Sequence, residues 1–129
     1  MVYVETDFLV ALAKESDWLK ENAEEVLRDE DIKASTSILA YAEFLLLAER
    51  YEFDRVRAVS NLLDMVPVLP EEHSQAVLKA AKYQEEHGMT TFDALHAGLA
   101  ETRNARILAS EGDYDSLEVE RVALEGDER

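Results

Sequence analysis

The sequence predicts one α/β domain spanning residues 1–129, with a mostly parallel central sheet flanked by helices. Three observations carry that expectation. Short apolar runs alternate with amphipathic stretches along the whole chain, the pattern of strands joined through helices. A length of 129 residues with 47% hydrophobic content suits a single core. No repeat or low-complexity linker interrupts the alternation.

Val2 to Glu5 reads as a strand, and the polar step Thr6-Asp7 leads into helical spacing at Phe8, Leu9, Ala11 and Leu12, with Thr6 or Asp7 available as the N-cap. Ser16-Asp17 would cap a second helix through Trp18, Leu19, Ala23, Val26 and Leu27, which ends in the charged segment 28–31. Ile32 to Ser35 is a short strand candidate. A strongly apolar helix follows from Thr36 to Arg50, then another from Phe53 to Asp64. Met65 to Leu69 resembles a strand, and Pro67, which has no N–H to donate, favours an edge position for it. Pro70 followed by Glu71 and Glu72 starts a helix that Gly88 stops, and Thr90-Thr91 caps one through Phe92 to Thr102. Arg106 to Ser110 predicts a strand, Glu111 to Leu117 a turn or short helix, and Val119 to Leu124 a last strand. Residues 125–129 read as a frayed tail.

Composition narrows the chemistry. Without cysteine there is no disulfide, thiolate zinc site or cysteine nucleophile. His73, His87 and His96 are too far apart for a helical pair of zinc ligands, so a hard, oxygen-liking cation is the expected metal. No apolar stretch is long enough for a membrane span and no basic leader precedes Val2, so a soluble, unprocessed, cytoplasmic protein is expected. The formal charge of −16 exceeds what solubility requires, and Arg outnumbers Lys, the balance expected of a salt-adapted cytoplasm. Such a surface repels nucleic acid at low ionic strength. At about 1 M salt, where the Debye length is roughly 3 Å, that repulsion largely vanishes.

Several carboxylates stand in informative places. Glu43 is alone among Ile38, Leu39, Tyr41, Ala42, Phe44, Leu45, Leu46, Leu47 and Ala48, so it either points along a narrow solvent stripe or belongs to a site where its charge is compensated. Asp93 opens a helix, where an acid also complements the macrodipole. Glu5 and Asp7 flank Thr6 after the first strand, and Glu111 and Asp113 follow the strand at 106–110. In a parallel sheet both pairs lie at the carboxyl edge, where helices bearing Glu43 and Asp93 can pack. Acids converging there repel one another and call for a counter-cation, Mg²⁺ or Mn²⁺, which points to hydrolytic phosphodiester chemistry.

With these residues in hand, the chain resembles the PIN-domain ribonucleases, VapC-type toxins included, over almost its full length. The segment Val2-Tyr3-Val4-Glu5-Thr6-Asp7 is similar to the family's strand end of Asp-Thr-Asn/Ser before an apolar helix. Leu39-Ala40-Tyr41-Ala42-Glu43-Phe44-Leu45 resembles the second motif, a lone Glu in an apolar helix, and Phe92-Asp93-Ala94-Leu95-His96-Ala97 the third, Asp-Ala-Leu-His-Ala. Ser110-Glu111-Gly112-Asp113-Tyr114 resembles the fourth, Thr/Ser-x-Asp-x-Asp-Phe. Glu5 and Glu111 depart from the family's usual Asp, and each extra methylene displaces a ligand oxygen unless the backbone compensates.

The resemblance implies an acidic pocket for one or two Mg²⁺ or Mn²⁺ ions and metal-activated water cutting RNA. Glu5, Glu43, Asp93 and Glu111 would be the catalytic ligands, with Asp7 and Asp113 as further or substitute metal ligands. It also implies a small antitoxin partner and a possible homodimer. Arg50, Arg55 and Arg57, with Lys79 and Lys82, are candidate phosphate contacts. Two rivals are the haloacid-dehalogenase phosphatases, which place Asp-x-Asp after a first strand, and the receiver phosphoacceptors, which need an Asp at the end of a central strand and a Lys after a later one. Both fit poorly, because Glu5 is one carbon too long and no Lys follows the later strand. A different class of rival is a PIN-like binding module or RNA-processing factor in which the two Glu replacements have weakened catalysis.

Overall fold

The computed structural model describes residues 2–14, 18–51, 54–109, 112–117 and 119–124, with Tyr51 and Asp113 described by backbone alone. In chain order the elements are β1 (Val2–Tyr3), α1 (Thr6–Ala13), α2 (Lys20–Arg28), β2 (Ala34–Ser35), α3 (Ile38–Tyr51), α4 (Arg55–Met65), α5 (Glu72–His87), α6 (Thr91–Thr102), β3 (Ile107–Ala109), a 3₁₀ turn (Gly112–Ser116) and β4 (Arg121–Ala123). The α/β order read from the sequence is observed. The predicted caps at Ser16-Asp17, the helix start at Phe53 and the tail 125–129 lie outside the described residues.

The strands depart from one continuous central sheet. Among the described residues they form two small parallel ladders: β1 pairs with β2, in register Val2 with Ala34, and β3 pairs with β4, in register Leu108 with Val122. The predicted strand at 65–69 contributes only a parallel bridge between Val68 and Thr36. Its backbone bonds explain how little of it is strand. Thr36 donates to the Pro67 carbonyl and accepts from the Leu69 N–H, while Pro67 has nothing to donate on its other side. Parallel pairing is therefore as predicted, whereas the bulk of the fold is helical packing.

The core explains that weight. Leu9 of α1, Tyr41, Phe44 and Leu45 of α3, Val59 and Leu62 of α4, and Val77 of α5 are at most 1% exposed. Each apolar side chain so buried contributes about 1.5–3 kcal/mol by transfer from water. Tyr41 keeps a polar handle inside this core, its hydroxyl donating to the Val66 carbonyl at 2.8 Å, and burial pushes its phenol far above the usual value. Tyr41→Phe should therefore lower stability by about 1–3 kcal/mol, because the buried Val66 carbonyl is left without a partner. Chemical denaturation with unchanged m-value is the check.

The helical hairpin of α5 and α6 is the most extensive helix pair. Gly88 ends α5 at φ 64°, a left-handed conformation that suits glycine, and its N–H bonds to the Gln84 carbonyl. Across the turn, the buried Gln84 amide donates to Thr91 Oγ1 at 3.0 Å. Ala76 and Ala80 of α5 are fully buried, as are Ala94 and Ala97 of α6. This small-residue seam lets the backbones approach until a Cβ on Gly98 would stand 2.5 Å from the Ala76 carbonyl oxygen. The close approach fixes where α6, and with it Asp93, is held.

Candidate active site

The end of β1 is tied to the segment that leads into α3. Val4 donates to the Ser35 carbonyl at 2.9 Å, and Thr36 Oγ1 donates to the Val4 carbonyl at 2.6 Å. Helix α1 then begins at once. Its N-cap is Glu5, which makes no side-chain cap bond, so Thr6 and Asp7 are helical residues and not the cap the sequence offered. Thr6 is freed for another task. Its buried hydroxyl lies 3.1 Å from Glu43 Oε1 and 3.4 Å from the Ala40 carbonyl, linking the first turn of α1 to the middle of α3.

Glu43 itself is exposed. The apolar sequence around it does not mean burial on every side, because Leu39 and Leu46, one turn before and after, are 62% and 43% exposed. Of the two readings, the solvent stripe is the observed placement, and the cost of a buried, uncompensated carboxylate does not arise. Glu43 nevertheless has a fixed partner in Thr6.

A second cluster forms around Asp93 in the first turn of α6, where the helix N-terminus favours its negative charge. Asp93 is half-buried, and its Oδ1 accepts from the hydroxyl of Tyr114 at 3.2 Å. Tyr114 is buried in the 3₁₀ turn after β3, so this bond holds the carboxyl end of β3 against α6. Beside Asp93 opens a cleft of about 390 Å³ lined by His87, Gly88, Met89, Thr90, Gly112 and Ser116. His96 is exposed and has no role in either cluster.

The remaining candidates are distributed unevenly. Glu5 and Asp7 are both exposed, and Asp7 also lines an apolar groove with Phe8, Ala11, Leu19, Asn22, Ala23 and Val26. Glu111 and the side chain of Asp113 lie outside the described residues. Among the described residues no group of three or more acids or histidines stands in metal-holding geometry. Arg55 is committed elsewhere, pairing with Glu85 of α5 at 3.2 Å, and Arg50 and Arg57 are exposed on α3 and α4. None of the three arginines lines the cleft at Asp93.

Three residues of the site were not singled out from the sequence. The sequence offers Thr6 as a cap and Tyr114 as the aromatic of the fourth motif. In both cases the signal was a hydroxyl beside a motif acid. Tyr3 is the third, 60% exposed, with its hydroxyl 2.8 Å from Ser37 Oγ. Hydrogen bonds with Ser37 and then Thr36 lower its phenol from the ordinary value, and the nearby charge of Glu43 opposes the shift.

A sequence model of the PIN domain matches residues 2–120, from β1 to the residue before β4. The chain belongs to the PIN-domain family. Neither the curated proteins nor the solved structures give a significant match. PIN domains are usually metal-dependent nucleases and typically use divalent metals. The donors of this PIN domain suit such an ion in kind: Glu43 and Asp93 offer hard carboxylate oxygens, each with one oxygen oriented by a hydroxyl and another without a side-chain partner among the described residues. Mg²⁺ commonly needs only one or two carboxylates, with water filling its other positions. In this PIN domain Thr6 is the orienting partner of Glu43, so Thr6→Val should cut activity roughly 10- to 100-fold while Thr6→Ser retains most of it. Steady-state cleavage rates on the two variants, with melting curves showing that both fold, make the comparison.

Proposed function

We propose that this PIN domain is a metal-dependent endoribonuclease, acting as the toxin of a toxin–antitoxin pair. The observation that carries the nuclease reading is the pair of oriented carboxylates, Glu43 held by Thr6 and Asp93 held by Tyr114, on segments that resemble the family's motifs within the matched span. Glu43 and Asp93 would hold Mg²⁺ or Mn²⁺. Glu5 is preferred to Asp7 as a further ligand because Asp7 lines the apolar groove of α1 and α2. Glu111 and Asp113 complete the proposed set. A bound ion supplies an activated water and offsets charge on the leaving oxygen. The contribution of the chain is positional: Thr6 and Tyr114 fix the carboxylates before substrate arrives, so little reorganisation accompanies the reaction.

The toxin role draws on the groove between α1 and α2. It is lined by Phe8, Ala11, Leu19, Ala23 and Val26 together with Asp7 and Asn22. An amphipathic antitoxin helix with basic flanks would suit both that apolar floor and a toxin of charge −16. A second copy of the chain is the proposed cover for the exposed leucines of α3, Leu39 and Leu46.

Cleavage of structured RNA with Mn²⁺ or Mg²⁺ across a salt series tests the nuclease reading. Because the chain carries −16, kcat/KM should rise between about 0.05 and 1 M salt as repulsion of the RNA is screened. Absence of metal-dependent cleavage at every salt concentration would overturn the proposal.

A further inference from the structure

A second groove runs alongside the cleft at Asp93. It has a volume of about 420 Å³ and is lined by Lys79, Lys82, Tyr83, Glu86, His87, Glu101, Ser116 and Leu117. His87 and Ser116 also line the cleft that contains Asp93, so the two depressions adjoin at those residues. Positions 79, 82, 83 and 86 follow one another at i, i+3, i+4 and i+7, which places them on one face of α5. From Lys79 to His87 that face rises about 12 Å, the length of several nucleotides at roughly 3.4 Å per stacked nucleotide.

The charge of this groove is unusual for the chain. Two lysines balance two glutamates along it, with His87 at its junction with the cleft, while the whole chain carries −16. The glutamates are unequal. Glu101 is tied down, accepting from Lys79 Nζ at 2.8 Å and from the Tyr83 hydroxyl, whereas Glu86 is exposed and lies 4.0 Å from His87 Nε2. Lys82 is exposed and makes no ion pair or hydrogen bond with another side chain among the described residues. A cation without an internal partner, beside a groove that leads to a proposed scissile site, is suited to a phosphate.

We propose that the groove over α5 carries the flanking strand of the RNA away from Asp93, with Lys82 as its principal phosphate contact and His87 at the junction. The inference rests on the nuclease reading for the identity of the strand. Lys79, already bound to Glu101, shapes the wall. The arginines of α3 and α4 are not part of this track.

The test is fluorescence anisotropy with a labelled single-stranded RNA 12-mer, in the absence of divalent ions, so that binding is read independently of cleavage. Lys82→Ala should weaken binding roughly 10-fold and shift the slope of log K against log salt by about +0.7, the contribution of one phosphate contact on a single strand. Lys82→Arg should restore both quantities. Lys33→Ala, which removes an exposed cation just before β2, should change neither. Equal effects from Lys82→Ala and Lys33→Ala, no effect from Lys82→Ala, or no binding by the wild type would each overturn the groove. If Lys82→Ala acts as expected but the wild type cleaves no RNA with Mn²⁺, the groove stands and the nuclease reading alone falls.

Discussion

Glu43→Gln and Asp93→Asn are each expected to reduce metal-dependent RNA cleavage by at least about 100-fold. Each replacement keeps the shape of the side chain and its ability to accept from Thr6 or Tyr114, so the hydrogen bonds at 3.1 and 3.2 Å can persist. What disappears is a full negative charge at a proposed ligand. Changing groups that merely orient a ligand commonly costs 10- to 100-fold, so loss of a ligand itself should cost no less. Folding should be little affected: Glu43 is exposed, and Asp93 loses only a favourable placement at the N-terminus of α6, worth about 0.3–1 kcal/mol. If the two serve one ion, as proposed, the double variant should be no more than slightly worse than either single one. Single-turnover cleavage with excess enzyme is the measurement, since it separates the chemical step from product release.

The second large effect falls on stability. Gly98→Ala should destabilise the domain by about 2 kcal/mol and lower Tm by roughly 5–10 °C. In an ordinary helix this change would be favourable by nearly 1 kcal/mol. Here the new methyl would lie 2.5 Å from the Ala76 carbonyl oxygen and 3.3 Å from its carbonyl carbon, all backbone of α5. Backbone cannot rotate away as a flexible side chain can, so α6 must shift as a body and carry Asp93 with it. Cleavage should therefore fall by more than the melting temperature alone explains when assayed well below Tm. Gly88→Ala is the instructive contrast. It has open space around the new Cβ but a φ of 64°, so its cost is only the left-handed strain of about 1–2 kcal/mol, with no displacement of α6.

The helices were legible in the sequence because each shows its period over several turns, and Gly88 marks the end of α5; the cap at Asp54 before α4, whose side chain accepts from the Arg57 N–H, was not. Parallel pairing was legible from the alternation of strand and helix. Strand lengths were not, since a ladder of two or three residues is set by where flanking helices dock, which no local pattern records. Glu43 illustrates the same limit at the site. Leu39 and Leu46 look like core residues in sequence, and only the packing of α3 against α1, α5 and α6 reveals which stripe is left uncovered. The motif acids Glu43 and Asp93 could be picked out one by one, but their hydroxyl partners, separated by 37 and 21 residues, could not. Arg55 shows a partner that the sequence does not reveal, its guanidinium pairing with Glu85 thirty residues on.

The proposed sharing of one divalent ion by Glu43 and Asp93 can be read from titration of Mn²⁺ followed by electron paramagnetic resonance. Wild-type protein should remove the free Mn²⁺ signal with saturable stoichiometry of one or two ions, and Glu43→Gln and Asp93→Asn should each weaken that binding at least about 10-fold. Saturable binding that survives both substitutions unchanged, or no binding by the wild type at millimolar Mn²⁺, would contradict it.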